Sequence, residues 1–574
     1  MSGIVILLVS VVALVIGYVT YGSWLAKKWG IDPSRKTPAH ELRDNKDYVP
    51  AKAPILLGHH FSSIAGAGPI NGPIQAAVFG WLPVLLWVII GGIFFGAVHD
   101  FGSLFASVRH KGQSIGAVIS DNIGPRAKKL FIVFAYLTLL LVVAAFSSIV
   151  AGTFNAFTAD PIQNDANGTT AMISCLFIVL AILFGFFVYR RNAPIGISTI
   201  IGVIGIVIII IIGLNVRISL NMNTWLVLIA VYIIIASIVP VWILLQPRDY
   251  LSSFLLYAMM LASMVGIVAT NPSMNLEVHY GLSGILGNSY LFPVLFITVA
   301  CGAISGFHSL VGSGTTAKQL DNEKDAKVIG YGGMLIECAL AVISLIAVGF
   351  LMTKGAKAMP TGTPPQVLAR GIATMIASLG GGNEPVYRTT DALITTAVSA
   401  FALTSLDTAT RLARYLFAEF FLEVGETHEN AKGIKKFLTN PWTGTIITVV
   451  IGVYLAVGGY LRVWPLFGAA NQLLAGLALL AVAAWLGNIG KSNKMFIFPM
   501  VFMLVATITS LCITFTQRLT AVMGGAADSG NILQLFFSAV LVILAVTLVI
   551  EGCQTFVKQA KGQKTGVHAH AKKA

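Results

Sequence analysis

Charge is what this chain has least of. Of its 574 residues only 10% are charged, while 56% are hydrophobic. Soluble domains carry about 25% charged residues, so the composition excludes an ordinary soluble globule and points to a polytopic membrane protein. Cysteine is scarce as well. Cys175, Cys301, Cys338, Cys512 and Cys553 are scattered, which excludes a disulfide framework and any CxxC metal motif. Most of them read as small core residues. Acidic residues are fewer than basic ones, 23 against 37, for a net charge of +14. In a chain this apolar, the excess belongs to basic cytoplasmic loops and not to a nucleic-acid surface. No small-residue cleavage site follows the apolar run 3–24, so that run is expected to stay as a first membrane helix.

What is abundant is apolar runs of about 20 residues, the length that crosses a bilayer. They fall at 3–24, 54–77, 82–108, 130–154, 170–190, 194–216, 224–245 and 250–271. The series continues at 290–312, 328–352, 391–417, 442–460, 464–487, 495–516 and 531–551, about fifteen crossings of an all-α membrane protein. Basic residues orient them. Lys27, Lys28, Arg35, Lys36, Arg43, Lys46 and Lys52 share one loop, and Arg109, Lys111, Arg126, Lys128 and Lys129 share another. Arg248, Lys318, Lys491 and the tail from Lys558 fall on the same side if the N-terminus is outside. The positive-inside rule then puts the C-terminus in the cytoplasm. Lys354, Lys357, Arg370 and Arg388 are the exception, and a further or re-entrant helix is expected near 365–380.

One of these runs is not a clean helix. Between Pro54 and Gln75, Gly58, Gly66, Gly68, Pro69, Gly72 and Pro73 interrupt the helical ladder. His59, His60, Ser62, Ser63 and Asn71 bring polar groups to membrane depth, where unsatisfied groups cost several kcal/mol. Irregular polar backbone at that depth is tolerated only where protein buries it or it lines a cavity. The stretch therefore reads as a discontinuous helix at a transport site. Ten segments run from it to about residue 417, and the sixth, 224–245, contains Pro240 and crosses in the opposite direction. Two broken helices at matching places in inverted halves are the sequence pointer to a five-plus-five inverted repeat. The eighth segment, around Ser305, His308 and Ser309, is again rich in Gly and Ser; in transporters of the LeuT type, the first and eighth core helices hold a coupling ion.

Each polar residue has a bland reading beside the functional one. His59 and His60 either bind a carboxylate, proton or metal, or satisfy carbonyls freed at the break. Both can face one cavity only if the backbone there is unwound, since consecutive helical residues point about 100° apart. Asp100, beside His99, is nine residues from Arg109, roughly 13 Å along a helix; an intramembrane carboxylate is a functional candidate by default. Ser305 and Ser309 share a helix face and either offer hydroxyls to a ligand or bond back to their own helix. Glu337 is a second candidate proton carrier. Asp407 is expected to pair with Arg411 at i+4. Arg248 reads first as a positive-inside residue, and Gln246 as a cavity group. The histidines lack the i, i+4 spacing of HExxH, so His59, His60 and His308 are only weak metal ligands. No bound cofactor is expected beyond a coupling ion.

Several blocks carry a resemblance. They are R-K-T-P-A-H-E-L-R-D-N-K-D-Y-V-P (35–50), G-H-H-F-S-S-I-A-G-A-G-P-I-N-G-P (58–73), G-A-V-H-D-F (96–101), L-Q-P-R-D-Y-L (245–251) and the segment from Cys301 to Gln319. Over roughly residues 1–420 the chain resembles the carbon starvation protein A (CstA) family of bacterial inner-membrane transporters. The resemblance implies uptake of small nutrients, peptides or pyruvate, with proton symport in the pyruvate-carrying relatives. The expected organisation is an N-terminal helix and basic loop (1–53), a transport core (54–420), and a C-terminal helical block with a cytoplasmic tail (421–574). That last block serves either as a homo-oligomer interface or as a lipid-facing brace. Substrate is expected near the bilayer midplane between 58–73 and 238–246, its carboxylate on exposed helix N–H groups. Protons are the first choice of coupling ion and sodium the second. A membrane-embedded metalloenzyme and a channel are the rival classes, and no enzymatic activity is expected.

Overall fold

The computed structural model describes residues 1–565 except 45–46, 192, 286, 288, 356–357, 423–425, 427 and 564. Lys46 and Lys357 of the basic clusters lie outside the described residues. Eighteen helices carry the architecture. They begin with α1 (Gly3–Trp29), α2 (Ala53–Ile64), α3 (Gly68–Ala76), α4 (Trp81–Arg109), α5 (Pro125–Phe154) and α6 (Pro161–Val188). Next come α7 (Ile195–Asn215), α8 (Met222–Ile238), α9 (Leu245–Thr270), α10 (Leu291–Thr298), α11 (Gly306–Gly314) and α12 (Glu323–Leu351). The last are α13 (Pro364–Leu379), α14 (Glu384–Phe421), α15 (Pro441–Val457), α16 (Tyr460–Asn488), α17 (Lys494–Met523) and α18 (Ser529–Ala560). Among the described residues there are only isolated bridges and no strands. Among the described residues eleven helices are long and apolar enough to cross a membrane, which makes this an all-α, multi-pass membrane protein.

Sequence explains which faces go inward. In α7 the buried residues are Ser198, Gly202, Ile206, Ile209 and Gly213, a stripe at three- and four-residue spacing that is rich in small side chains. Ile200, Ile201, Ile204, Val207, Ile208 and Ile211 of the same helix are exposed. Such a band is intolerable in water and ordinary against lipid. At the other extreme, the membrane-length window of α16 is entirely buried, and α16 packs against α4, α5 and α11.

The first break is narrower than expected. Helix α2 runs regularly through Gly58, His59 and His60, and only residues 65–67 leave helical structure before Pro69 opens α3 in its first turn. The second break is elsewhere than expected. Pro240 does not interrupt a helix: α8 ends at Ile238, and Val239 takes the extended conformation (φ −61°, ψ 142°) that a following proline enforces. Pro240 itself is exposed in the link to α9. The discontinuous partner lies at 290–312, where α10 and α11 are separated by Val299–Ser305 and Cys301 takes a left-handed φ of +50°.

The two discontinuous helices lie against each other and run in opposite directions. The amide of Ala51 donates to the Gln319 carbonyl at 2.9 Å, His60 meets Thr316 at 2.8 Å, and Gly72 abuts Thr298–Ala300. A Cβ on Gly72 would lie 2.9 Å from the Thr298 carbonyl oxygen and 3.0 Å from Val299 Cα, so glycine is what permits this approach. Helix α13 stands where a further segment near 365–380 is expected.

Candidate functional site

A chain of four buried ionisable side chains crosses the interior beside the second break. His99 Nδ1 lies 2.7 Å from Asp100 Oδ1, and Asp100 Oδ2 lies 2.7 Å from His308 Nδ1. His308 Nε2 then faces Glu337 Oε2 at 3.4 Å. None of the four is more than 3% exposed. Three elements converge to build it: α4 supplies His99 and Asp100, α11 supplies His308 in its first turn, and α12 supplies Glu337. In α4 and α12 a widened π-helical stretch, Trp87–Gly96 and Lys327–Gly332, comes just before the acids; such windings gather at functional sites. Gly96 lets α4 approach the break, since a Cβ there would lie 2.2 Å from the Ala303 carbonyl oxygen.

The chemistry follows from the imidazole between two carboxylates. A neutral His308 has one N–H and can donate to Asp100 or to Glu337, but not to both. The imidazolium has an N–H for each side: Nδ1 is bonded to Asp100, while Nε2 faces Glu337 at 3.4 Å without a hydrogen bond. Glu337 has no other help: its two carboxylate oxygens are buried without a hydrogen-bond partner. The arrangement therefore sets the His308 ring between the carboxylates of Asp100 and Glu337.

Asn471 of α16 completes this end of the site, and the sequence reading missed it. Its Oδ1 accepts from the Phe307 amide at 2.8 Å and its Nδ2 donates to Ser305 Oγ at 3.1 Å. It thus caps the first turn of α11, a helix whose own N-cap, Ser305, makes no side-chain cap. The signal was the Asn471-Gln472 pair inside an otherwise apolar run; Gln472 is also fully buried with both side-chain polar atoms unpartnered. Ser305 and Ser309 do not present one face. Ser305 precedes the helix and bonds Asn471, while Ser309 Oγ donates back to the Gly306 carbonyl at 2.7 Å.

A second network joins α2 to α9. His59 Nδ1 is 3.1 Å from Asp249 Oδ2, and Ser62 Oγ donates to the Asp249 carbonyl at 3.2 Å. Arg248, 2% exposed, is no loop cation. Its guanidinium bonds Asp249 at 2.9 Å, Tyr232 Oη at 2.6 Å and the Asp407 carboxylate. Asp407 therefore pairs with Arg248, not with Arg411, whose guanidinium donates to the Ala236 and Val239 carbonyls at the end of α8. Gln246 Nε2 donates to Gln319 Oε1 at 3.3 Å, and both line, with His59 and Tyr250, a recess of about 280 Å³.

Because α2 is helical at the two histidines, they diverge. His59 turns to α9, and His60 Nδ1 meets Thr316 Oγ1 at 2.8 Å. Ser63 Oγ and both amide atoms of Asn71 are buried without partners near the first break. Gly66 packs on Phe146 and Ser405, and Gly68 sits directly on the Cys301 side chain. Pro240, exposed, joins neither network. Among the described residues His59, His60 and His308 do not form one cluster; the donor atoms that gather are those of Cys301, His308 and Glu337.

Comparison with known proteins places the chain in a family. The family model for carbon starvation protein CstA matches residues 2–363 and 356–510. The peptide transporter CstA of Campylobacter jejuni is 33% identical over 88% of this chain and 79% of its own length. That of Bacillus subtilis is 33% identical over 86% of this chain and 87% of its own. The pyruvate/proton symporter BtsT of Escherichia coli is 29% identical over 89% and 81%. Among solved structures, a manganese transporter of Eremococcus coleocola covers 90% of this chain and 99% of its own at a TM-score of 0.48 and 12% identity. With nearly its whole length matched, the chain belongs to the carbon starvation protein CstA family.

Proposed function

We propose that this protein is a secondary active transporter that imports small carboxylate-bearing nutrients, peptides or pyruvate, across the bacterial inner membrane in symport with protons. The observation that carries the reading is the His99–Asp100–His308–Glu337 chain, buried where the second break meets α4 and α12. Relatives named as peptide transporters and as a pyruvate/proton symporter support it. Protonation of His308 ties α4 and α12 to α11 through two carboxylates. Loss of that proton frees one of the two contacts, which couples proton release to movement of the broken helices.

In this reading the core is a LeuT-like inverted repeat of two five-helix halves. Its two discontinuous segments are α2–α3 and α10–α11, the first and eighth of the core, which are the two helices that hold the coupling ion in transporters of that type. Those two pairs, the shorter apolar helices α8 and α15 and the eleven long spans make fifteen crossings. The N-terminus is outside and the C-terminus cytoplasmic. Substrate carboxylate meets polar groups near the first break, where Ser63 and Asn71 have unused hydrogen-bonding atoms.

Sodium is the runner-up coupling ion, favoured by the unpartnered Ser63 hydroxyl. The test is uptake of labelled pyruvate and of a labelled dipeptide into proteoliposomes under an imposed proton or sodium gradient. A proton gradient drives accumulation, and His60→Ala and Asp100→Asn depress it. Accumulation driven by sodium alone defeats the proton assignment.

A further inference from the structure

We infer that Cys301, His308 and Glu337 form a binding site for a divalent transition-metal ion of the zinc type at the second break. The Cys301 Sγ, a His308 ring nitrogen and a Glu337 carboxylate oxygen all lie within 4.8 Å of one another, and all three residues are buried. Ligand atoms around a tetrahedral zinc ion sit at about 2.0–2.3 Å from the metal, so a small closure brings all three into contact. Thiolate, imidazole and carboxylate together suit zinc or cobalt and not magnesium or calcium.

Independent features point to an ion there. Both Glu337 oxygens and His308 Nε2 are buried without a hydrogen-bond partner, so the carboxylate and the imidazole nitrogen are free to ligate. His308 gives its Nδ1 to Asp100 at 2.7 Å, which fixes the Nε2 face for a metal in the carboxylate–histidine–metal arrangement that tunes such sites. Asn471 Nδ2 approaches Cys301 Sγ at 3.6 Å, a hydrogen bond of the kind that steadies a thiolate. Cys301 holds a φ of +50°, uncommon for a residue with a Cβ. Among the described residues neither Asp100 nor Glu337 is paired with a lysine or arginine, so the site has negative charge to offer a divalent ion.

Metal and proton exclude each other at this point. The thiol proton leaves as the metal–sulfur bond forms, and His308 Nε2 can hold the ion or a proton but not both. The ion enters when the broken helices open, and it then locks α11 to α12. This inference stands on the ligand geometry and does not need the transport reading to hold.

Cobalt(II) titration of the purified full-length protein in detergent tests it. One equivalent binds and gives tetrahedral visible bands with a thiolate-to-cobalt band in the near ultraviolet. Cys301→Ser removes the thiolate band, Cys338→Ser keeps it, and Glu337→Gln weakens cobalt binding about tenfold or more. Should Cys301→Ser fail to remain monodisperse, Glu337→Gln decides the matter. Absence of saturable binding, a thiolate band that survives Cys301→Ser, or wild-type affinity in Glu337→Gln overturns the site. Uptake is read separately, so a failure of proton-driven transport leaves the cobalt result interpretable.

Discussion

Asp100 and His308 are 208 residues apart in the chain and 2.7 Å apart in the fold, and that contact joins α4 to α11, the helix after the second break. Replacing His308 by Gln keeps a donor toward Asp100 but removes the group that can bond both carboxylates while carrying a proton. Proton-driven uptake by His308→Gln falls roughly 100-fold, the scale of a lost proton-transfer group, while the purified protein keeps its thermal unfolding temperature within a few degrees. Uptake kinetics beside a melting curve check both halves.

Removing Arg248 leaves Asp249 and Asp407 buried without their cation. Breaking one side of such a pair costs about 3–5 kcal/mol. Arg248→Met therefore lowers the unfolding temperature strongly, and adding Asp407→Asn returns part of the loss. Thermal unfolding of the single and double variants in one detergent measures the recovery.

Asn471 accepts from the Phe307 amide and bonds Ser305. Asn471→Ala uncaps α11 at about 1–2 kcal/mol and loosens the end that holds His308. The expected outcome is a lower melting temperature together with slower uptake at unchanged expression. An Asn471→Ala protein with wild-type melting and uptake removes α16 from the site.

Gly72→Ala pushes a methyl group onto the backbone of Thr298–Ala300, which no side-chain rotation relieves. Overpacking of this kind costs about 1–3 kcal/mol. Gly152→Ala, where a Cβ meets nothing within 4 Å, leaves stability unchanged. The pair of melting curves separates crowding from helix propensity.

Much of the fold is legible in the chain because lipid demands long apolar helices, and their lengths survive in composition alone. The break near residues 66–68 shows through its glycines and prolines, and Asp100 shows as a carboxylate within an apolar run. The second break did not show. Its Gly and Ser residues read as one helix face, while Pro240 drew attention to a place where a proline merely ends a helix. Arg248 and Asp407 were misread for another reason: their partnership spans 159 residues, and only tertiary packing says that a cation near a basic loop is in fact buried. His59 and His60 diverge because α2 stays helical through them, a fact local composition argued against. Asn471 was overlooked because it sits in a segment assigned to the C-terminal block.

The account rests on a proton held between Asp100 and Glu337 by His308. Its most direct test is accumulation of labelled pyruvate and of a labelled dipeptide in proteoliposomes under an inward proton gradient, wild type against Asp100→Asn. The account predicts that the wild type concentrates at least one of the two above the external level, that dissipating the gradient abolishes this, and that Asp100→Asn does not concentrate it. Equal accumulation by both proteins, or accumulation indifferent to the gradient, contradicts it.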